Sequence, residues 1–186
     1  ESGLSHFIEH MIFKGTRKRT AFQIAKAFDA IGGYTNAYTT SETTCYHARV
    51  IDTHLETMVE ILSDIFLNSV FDADEMERER LVISQEIGML EDSPEEYIHI
   101  LSESALWGDH PLGRPIIGSR ETVLGFDAGM LRQFFRRLYQ PERIVVSAAG
   151  SVDHDHLVAL LAPSFAAIEA GNGFPDRRKP LARSGL

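Results

Sequence analysis

One cysteine, Cys45, in 186 residues means that no disulfide can close within the chain, and nothing in it calls for an oxidising compartment. Positive charge is scarce as well. Against 27 Asp and Glu there are only 18 Lys and Arg, and the net charge of −9 argues against a nucleic-acid surface and gives no pull toward an anionic membrane. No apolar run is long enough to span a bilayer, so no membrane insertion is expected, and no internal repeat shows. What is left, 44% hydrophobic and 24% charged, suits one domain with a sizeable core. That domain is expected over residues 1–170, with the polar, Pro- and Gly-rich stretch 171–186 as a linker.

Near its start the chain reads Gly3-Leu-Ser-His-Phe-Ile-Glu-His-Met-Ile-Phe-Lys-Gly-Thr16. On a helix the i, i+4 spacing stacks His6 above His10, with Glu9 on the edge of the same turn. Neutral imidazoles are good zinc ligands, and a carboxylate beside a metal-activated water can take its proton. Leu4, Phe7, Ile8 and Met11 recur at near-helical spacing, which sets the histidines beside a buried stripe. A catalytic zinc ion usually has three protein ligands and one open position, so a further acidic helix is expected downstream.

In chain order, Thr16 to Arg19 reads as a solvated basic turn after a first helix ending near Lys14-Gly15, with Gly15 as a left-handed cap. Thr20 caps a helix over Ala21 to Ile31 whose inner face is Phe22, Ala25, Phe28 and Ile31. Tyr34 to Thr40 and Thr44 to Ile51 predict a hairpin, with Cys45 a small buried strand residue. From Asp52 or Thr53 a core helix carries Leu55, Met58, Val59, Ile61, Leu62, Ile65 and Phe66.

Asp72 caps the next helix, Ala73 to about Leu90, on which Glu79 and Glu86 share a face nearly two turns apart. Leu81, Val82, Ile83 and Ile87 are expected to bury that region, so that Glu86 needs a cation for a partner. A helix over Glu95 to Leu106 leads into a Gly- and Pro-rich loop, Trp107 to Gly118, where His110 reads as a packing residue. Ala128 to Tyr139 predicts a helix with Arg132, Arg136 and Arg137 outward, and Arg143 to Ala149 a central strand. Asp153 caps a last helix, Leu157 to Ile168, which leaves His154 and His156 at its solvated start.

The order H-x-x-E-H is the inverzincin signature. GLSHFIEHMIFKGT, then GGYTNAYTTSETTCYHARV, ERERLVISQEIGMLEDSPEEY and GDHPLGRPIIG, resembles the pitrilysin/insulinase family of zinc metallopeptidases, in particular the catalytic subunit of mitochondrial processing peptidase and its bacterial relatives. The resemblance implies an α+β fold, a largely antiparallel sheet with helices packed on one side, here incomplete at both ends. It implies one Zn2+ held by His6, His10 and Glu86, with Glu9 as catalytic base and Glu79 behind the ligands. It also implies a peptide substrate paired with the strand that contains Asn36 and Ala37, and a homologous second half or partner subunit that supplies an Arg and a Tyr to the reaction.

A chain opening on Glu-Ser-Gly and entering its metal helix at once is expected to be a fragment. Its compartment is not legible: bacterial cytoplasm, periplasm and mitochondrial matrix all fit. The alternative to an endopeptidase is a non-catalytic structural or substrate-holding subunit of the same fold.

Overall fold

The computed structural model describes residues 2–168, 170–171 and 179–182; most of the expected linker, 172–178 and 183–186, lies outside the described residues. The fold is α+β. A first helix α1 (Leu4–Met11) is followed by α2 (Ala21–Ala30), a hairpin of β1 (Tyr34–Thr39) and β2 (Thr44–Arg49), then α3 (Leu55–Asn68), α4 (Ala73–Glu91), α5 (Pro94–Trp107), α6 (Arg120–Gly125), α7 (Ala128–Leu138) and α8 (His154–Phe165). Among the described residues the sheet is two-stranded and antiparallel, in a register that sets Asn36 opposite His47, Ala37 opposite Tyr46 and Thr39 opposite Thr44.

An eight-residue helix is marginal in water, so α1 depends on what it packs against. Leu4, Phe7, Ile8 and Met11 are all buried, and their cluster takes in Met76, Ile83 and Ile87 of α4, Val123 of α6, Phe126, and Leu131 and Phe134 of α7. Burying each of Phe7 and Ile8 completely is worth about 1.5–3 kcal/mol. A second cluster joins Ile24 and Phe28 of α2 to Ile61 and Ile65 of α3. The start of α1 is pinned by backbone against backbone. Gly3 and Gly118 take φ of +93° and +83°, and a Cβ on Gly3 would lie 2.9 Å from the Ile117 carbonyl oxygen, while one on Gly118 would lie 3.0 Å from the Gly3 Cα.

The caps expected at Thr20, Asp72 and Asp153 are formed: the Thr20 hydroxyl accepts from the Gln23 amide while the Gln23 side chain accepts from the Thr20 amide, and Asp72 and Asp153 accept amide hydrogens at their helix starts. Ser119 and Asp127 cap α6 and α7 in the same way. The carboxylate of Asp64, 2% exposed, receives Thr16 Oγ1 at 2.9 Å, Arg19 Nη1 at 2.6 Å and Asn68 Nδ2 at 3.0 Å, which ties the turn after α1 to α3.

Several expectations are corrected. Helix α1 ends at Met11, and Gly15, with φ +139°, serves a tight turn in which the Thr16 amide donates to the Arg19 carbonyl, not a helix cap. The inner face of α2 is Ile24, Ala27, Phe28 and Ile31; Phe22 and Ala25 point outward because the stripe starts two residues later. On α4 the inward stripe is Met76, Glu79, Ile83 and Ile87, which turns Leu81 (69% exposed) and Val82 to the opposite side. Residues 144–149 form no strand. Extended backbone becomes a strand only with a hydrogen-bonded neighbour, the described residues offer none there, and Val145 is 90% exposed.

Candidate metal centre

Helices α1 and α4 pack against each other, and this crossing brings His6 and His10 to Glu86. One ligand atom from each lies within 4.8 Å of the others, and no other group of three or more such side chains is found among the described residues. Glu86 Oε2 is 3.8 Å from His6 Nε2 and 3.5 Å from His10 Nε2. The expectation that Glu86 is the buried carboxylate of α4 is overturned: its side chain is 37% exposed, and Glu79, at 6%, is the buried one. Glu86 opens to solvent on one side, as an exchangeable position on a metal requires.

Glu79 sits behind His10. Its Oε2 is 2.9 Å from His10 Nδ1 and its Oε1 is 2.6 Å from Lys14 Nζ, so a carboxylate that would be costly to bury alone is held between two donors. With Nδ1 donating to Glu79, the lone pair of His10 is left on Nε2, facing Glu86. His6 has no such support, and its Nδ1 is buried without a hydrogen-bond partner. Burial, and next the neighbouring His10, push the His6 pKa down to about 4, which keeps this imidazole neutral near pH 7 and free to donate its lone pair. Two imidazoles and one carboxylate, open on one side, are the donor chemistry of a hydrolytic zinc site. The residues present fit that ion.

Glu9 faces the hairpin. The Thr39 hydroxyl donates to Glu9 Oε2, and Thr39 Oγ1 lies 3.3 Å from Thr44 Oγ1 across the strands. Beyond them, the hydroxyls of Tyr46 and Tyr139 are 2.9 Å apart. Burial, together with the proximity of Tyr139 and the charge of Glu9, raises the pKa of Tyr46 far above that of a free phenol.

The Thr40 amide donates to the Thr43 carbonyl at 2.7 Å and closes the turn at Ser41-Glu42. By the alternation of an antiparallel ladder, the main-chain groups of Thr39, Ala37 and Thr35 then point away from β2. Accordingly the Ala37 amide donates to the side chain of Asn36, at 2.9 Å, instead of to the partner strand. Asn36 itself is exposed. A cleft of about 1150 Å³ lies elsewhere, between β2, α3 and residues 144–152, and includes none of His6, His10 and Glu86.

Residues 1–120 match the family model described as insulinase, peptidase family M16. The chain belongs to this family. Residues 125–184 match a second model, described as the M16 inactive domain. Among the relatives of this insulinase-family chain are uncharacterized zinc proteases of Mycobacterium leprae, 47% identical over 164 residues (88% of this chain, 37% of the relative), and of Bacillus subtilis (YmxG), 41% identical over 179 residues (96% and 44%). The chain thus spans less than half the length of these relatives. The solved periplasmic protease PqqL of Escherichia coli superposes with a TM-score of 0.82 at 26% identity, over 96% of this chain and 20% of that one. A Helicobacter pylori protease shares the fold at TM-score 0.86 and 22% identity, over 98% and 44%.

Reading the sequence missed what surrounds the insulinase-family motif. Lys14 is one helical turn's spacing beyond His10, a signal that was available for its place beside Glu79. Thr39, Thr44, Tyr46 and Tyr139 gave no such signal, because three lie on a hairpin and one at the end of α7, brought to Glu9 by tertiary packing alone. His110, as expected, serves its own loop, its Nδ1 accepting from the Leu112 amide.

Proposed function

We propose that this chain carries the metal-binding half of a zinc-dependent endopeptidase acting on peptides or presequence-like segments. The observation that supports it best is the convergence of His6, His10 and Glu86 from two helices onto one point. These three would hold the ion, and a zinc ion there would supply Lewis acidity to a water and to the peptide carbonyl. Glu9 would take a proton from the attacking water and return it to the leaving amine. Glu79 keeps His10 turned to the site through Nδ1, and Lys14 holds Glu79.

A peptide would add as a strand along the free side of β1, where Ala37 and Asn36 meet it; its backbone carbonyl would take the Ala37 amide that Asn36 now occupies. Main-chain pairing tolerates many sequences, so the site selects a class of substrate and not its residues. A second half, in the same chain or a partner, would supply the donors to the carbonyl oxygen. The match to an inactive-domain model supports a rival reading as a non-catalytic subunit, but a chain relieved of catalysis has no need of the whole set His6, Glu9, His10 and Glu86.

The test is metal analysis with peptide cleavage on the full-length protein. About one zinc should be bound, lost in His6→Ala, His10→Ala and Glu86→Ala, and kept in Glu9→Gln, which should nevertheless lose turnover. Zinc retained by all three ligand variants, or turnover retained by Glu9→Gln, would overturn the assignment.

A further inference from the structure

The Thr39 hydroxyl is a single donor, and it is spent on Glu9. Toward Thr44, 3.3 Å away, Thr39 Oγ1 can then only accept, so Thr44 must donate to it. With its one proton used, Thr44 can only accept from any further donor. The order of donation is fixed from the carboxylate outward as far as Thr44, because an ionised carboxylate only accepts. The hydroxyl protons of Thr39 and Thr44 both point toward Glu9.

We propose that Thr39 is the positioning residue for Glu9, and that the hydroxyl of Thr44 holds Thr39 in its donating orientation. This rests on reading Glu9 as the proton-transfer group and adds a reason for its placement. Glu has three side-chain torsions, and on α1 it is fixed only by what it touches. Thr39 is β-branched on a strand, with few χ1 choices, and sits in a directly opposed pair with Thr44. It is a stiff donor from a second element. With one carboxylate oxygen held by Thr39, the other is left to meet the water. Donation polarised from Thr44 through Thr39 strengthens the last bond, the one to Glu9.

The hairpin thereby links two parts of the site. Ala37 and Thr39 are alternate residues of β1, sharing the face turned to α1, and both have their main-chain groups on the free side. A peptide that pairs with β1 would register against the same strand that orients the base. Substrate placement and base placement would then share one rigid reference.

The experiment uses the full-length protein carrying Thr39→Val, which keeps the shape and removes the donor, Thr39→Ser, which keeps the donor, and each in a Glu9→Ala background. Zinc content should be unchanged in Thr39→Val, kcat should fall by about 10- to 100-fold with KM within about threefold, and Thr39→Ser should recover most of the loss. In the Glu9→Ala background, Thr39→Val should cost nothing further in rate. The zinc-free protein gives a readout independent of turnover: the change in thermal midpoint caused by Thr39→Val should differ between the wild-type and Glu9→Ala backgrounds. Equal shifts in both backgrounds, or unchanged kcat in Thr39→Val while Glu9→Ala abolishes it, would overturn the role of Thr39 and leave the peptidase reading intact. Wild type and Glu9→Ala with the same turnover would instead sink the peptidase reading, and the thermal comparison would still decide whether Thr39 holds Glu9.

Discussion

Glu79 Oε2 lies 2.9 Å from Nδ1 of His10, and the other oxygen of the same carboxylate takes Lys14 at 2.6 Å. One buried acid thus serves two basic side chains from the segment that begins with α1. Glu79→Gln keeps the shape and removes the charge, and should weaken zinc binding by roughly 10- to 100-fold, as for other carboxylates behind a metal-bound histidine. Chelator competition measures it. An affinity equal to wild type would reduce Glu79 to a structural ion pair.

His6 should make the zinc-free protein sensitive to mild acid. Its pKa is about 4 in the fold against 6.5 when free, so between these values the unfolded chain binds a proton that the folded chain refuses. The associated stability is fully present above pH 6.5 and is lost as pH falls through that window toward 4. Urea midpoints taken at intervals from about pH 7 to about pH 4 should decline, and decline less in His6→Ala. A slope unaffected by His6→Ala would mean that other groups carry it.

Asp64 anchors the turn after α1. Replacing it by Ala leaves Thr16 without this acceptor and Arg19 with Glu60 alone, and should cost at most about 3 kcal/mol, the low end for a broken buried pair. Burial alone would raise the Asp64 pKa; the bonds from Thr16, Arg19 and Asn68 outweigh it and hold the carboxyl below its ordinary 3.8. Its contribution is therefore present above pH 3.8 and fades as pH falls through the lowered folded value. The stability gap between wild type and Asp64→Ala, read by denaturant titration, should narrow only in strong acid.

Residues 1–186 alone should bind zinc yet hydrolyse peptide far more slowly than the full-length protein. Preorganised donors to the developing oxyanion are commonly worth about 10²–10³ in rate, and the resemblance assigns that role to an Arg and a Tyr of a second half. Comparing kcat of the two, with Glu9→Gln of each as control, tests this. Equal turnover would show that the donors lie within this half.

The proximity of His6, Glu9 and His10 is legible because H-x-x-E-H is local and helical spacing alone places the three, whereas Glu86 enters only through the resemblance; the caps at Thr20 and Asp72 are local too. Hairpin register follows from the turn at Ser41-Glu42. Burial is harder. An apolar residue on a helix does not say which of two stripes faces inward, so the pattern turns Phe22 and Leu81 to the wrong side and buries Glu86, which is 37% exposed. The run Ile144-Val-Val has strand composition, but a strand is a property of two segments, and its composition cannot supply the neighbour.

Where the backbones at Gly3 and Gly118 touch, neither position has room for even a methyl group. A side chain at either would push the start of α1 off the loop that precedes α6, and His6 would move with it. Over evolutionary time these two sites are therefore closed to drift: no single substitution at one can be absorbed by change at the other, because both are already at the smallest residue. A lineage that accepts alanine at either should be one that has also let go of its metal.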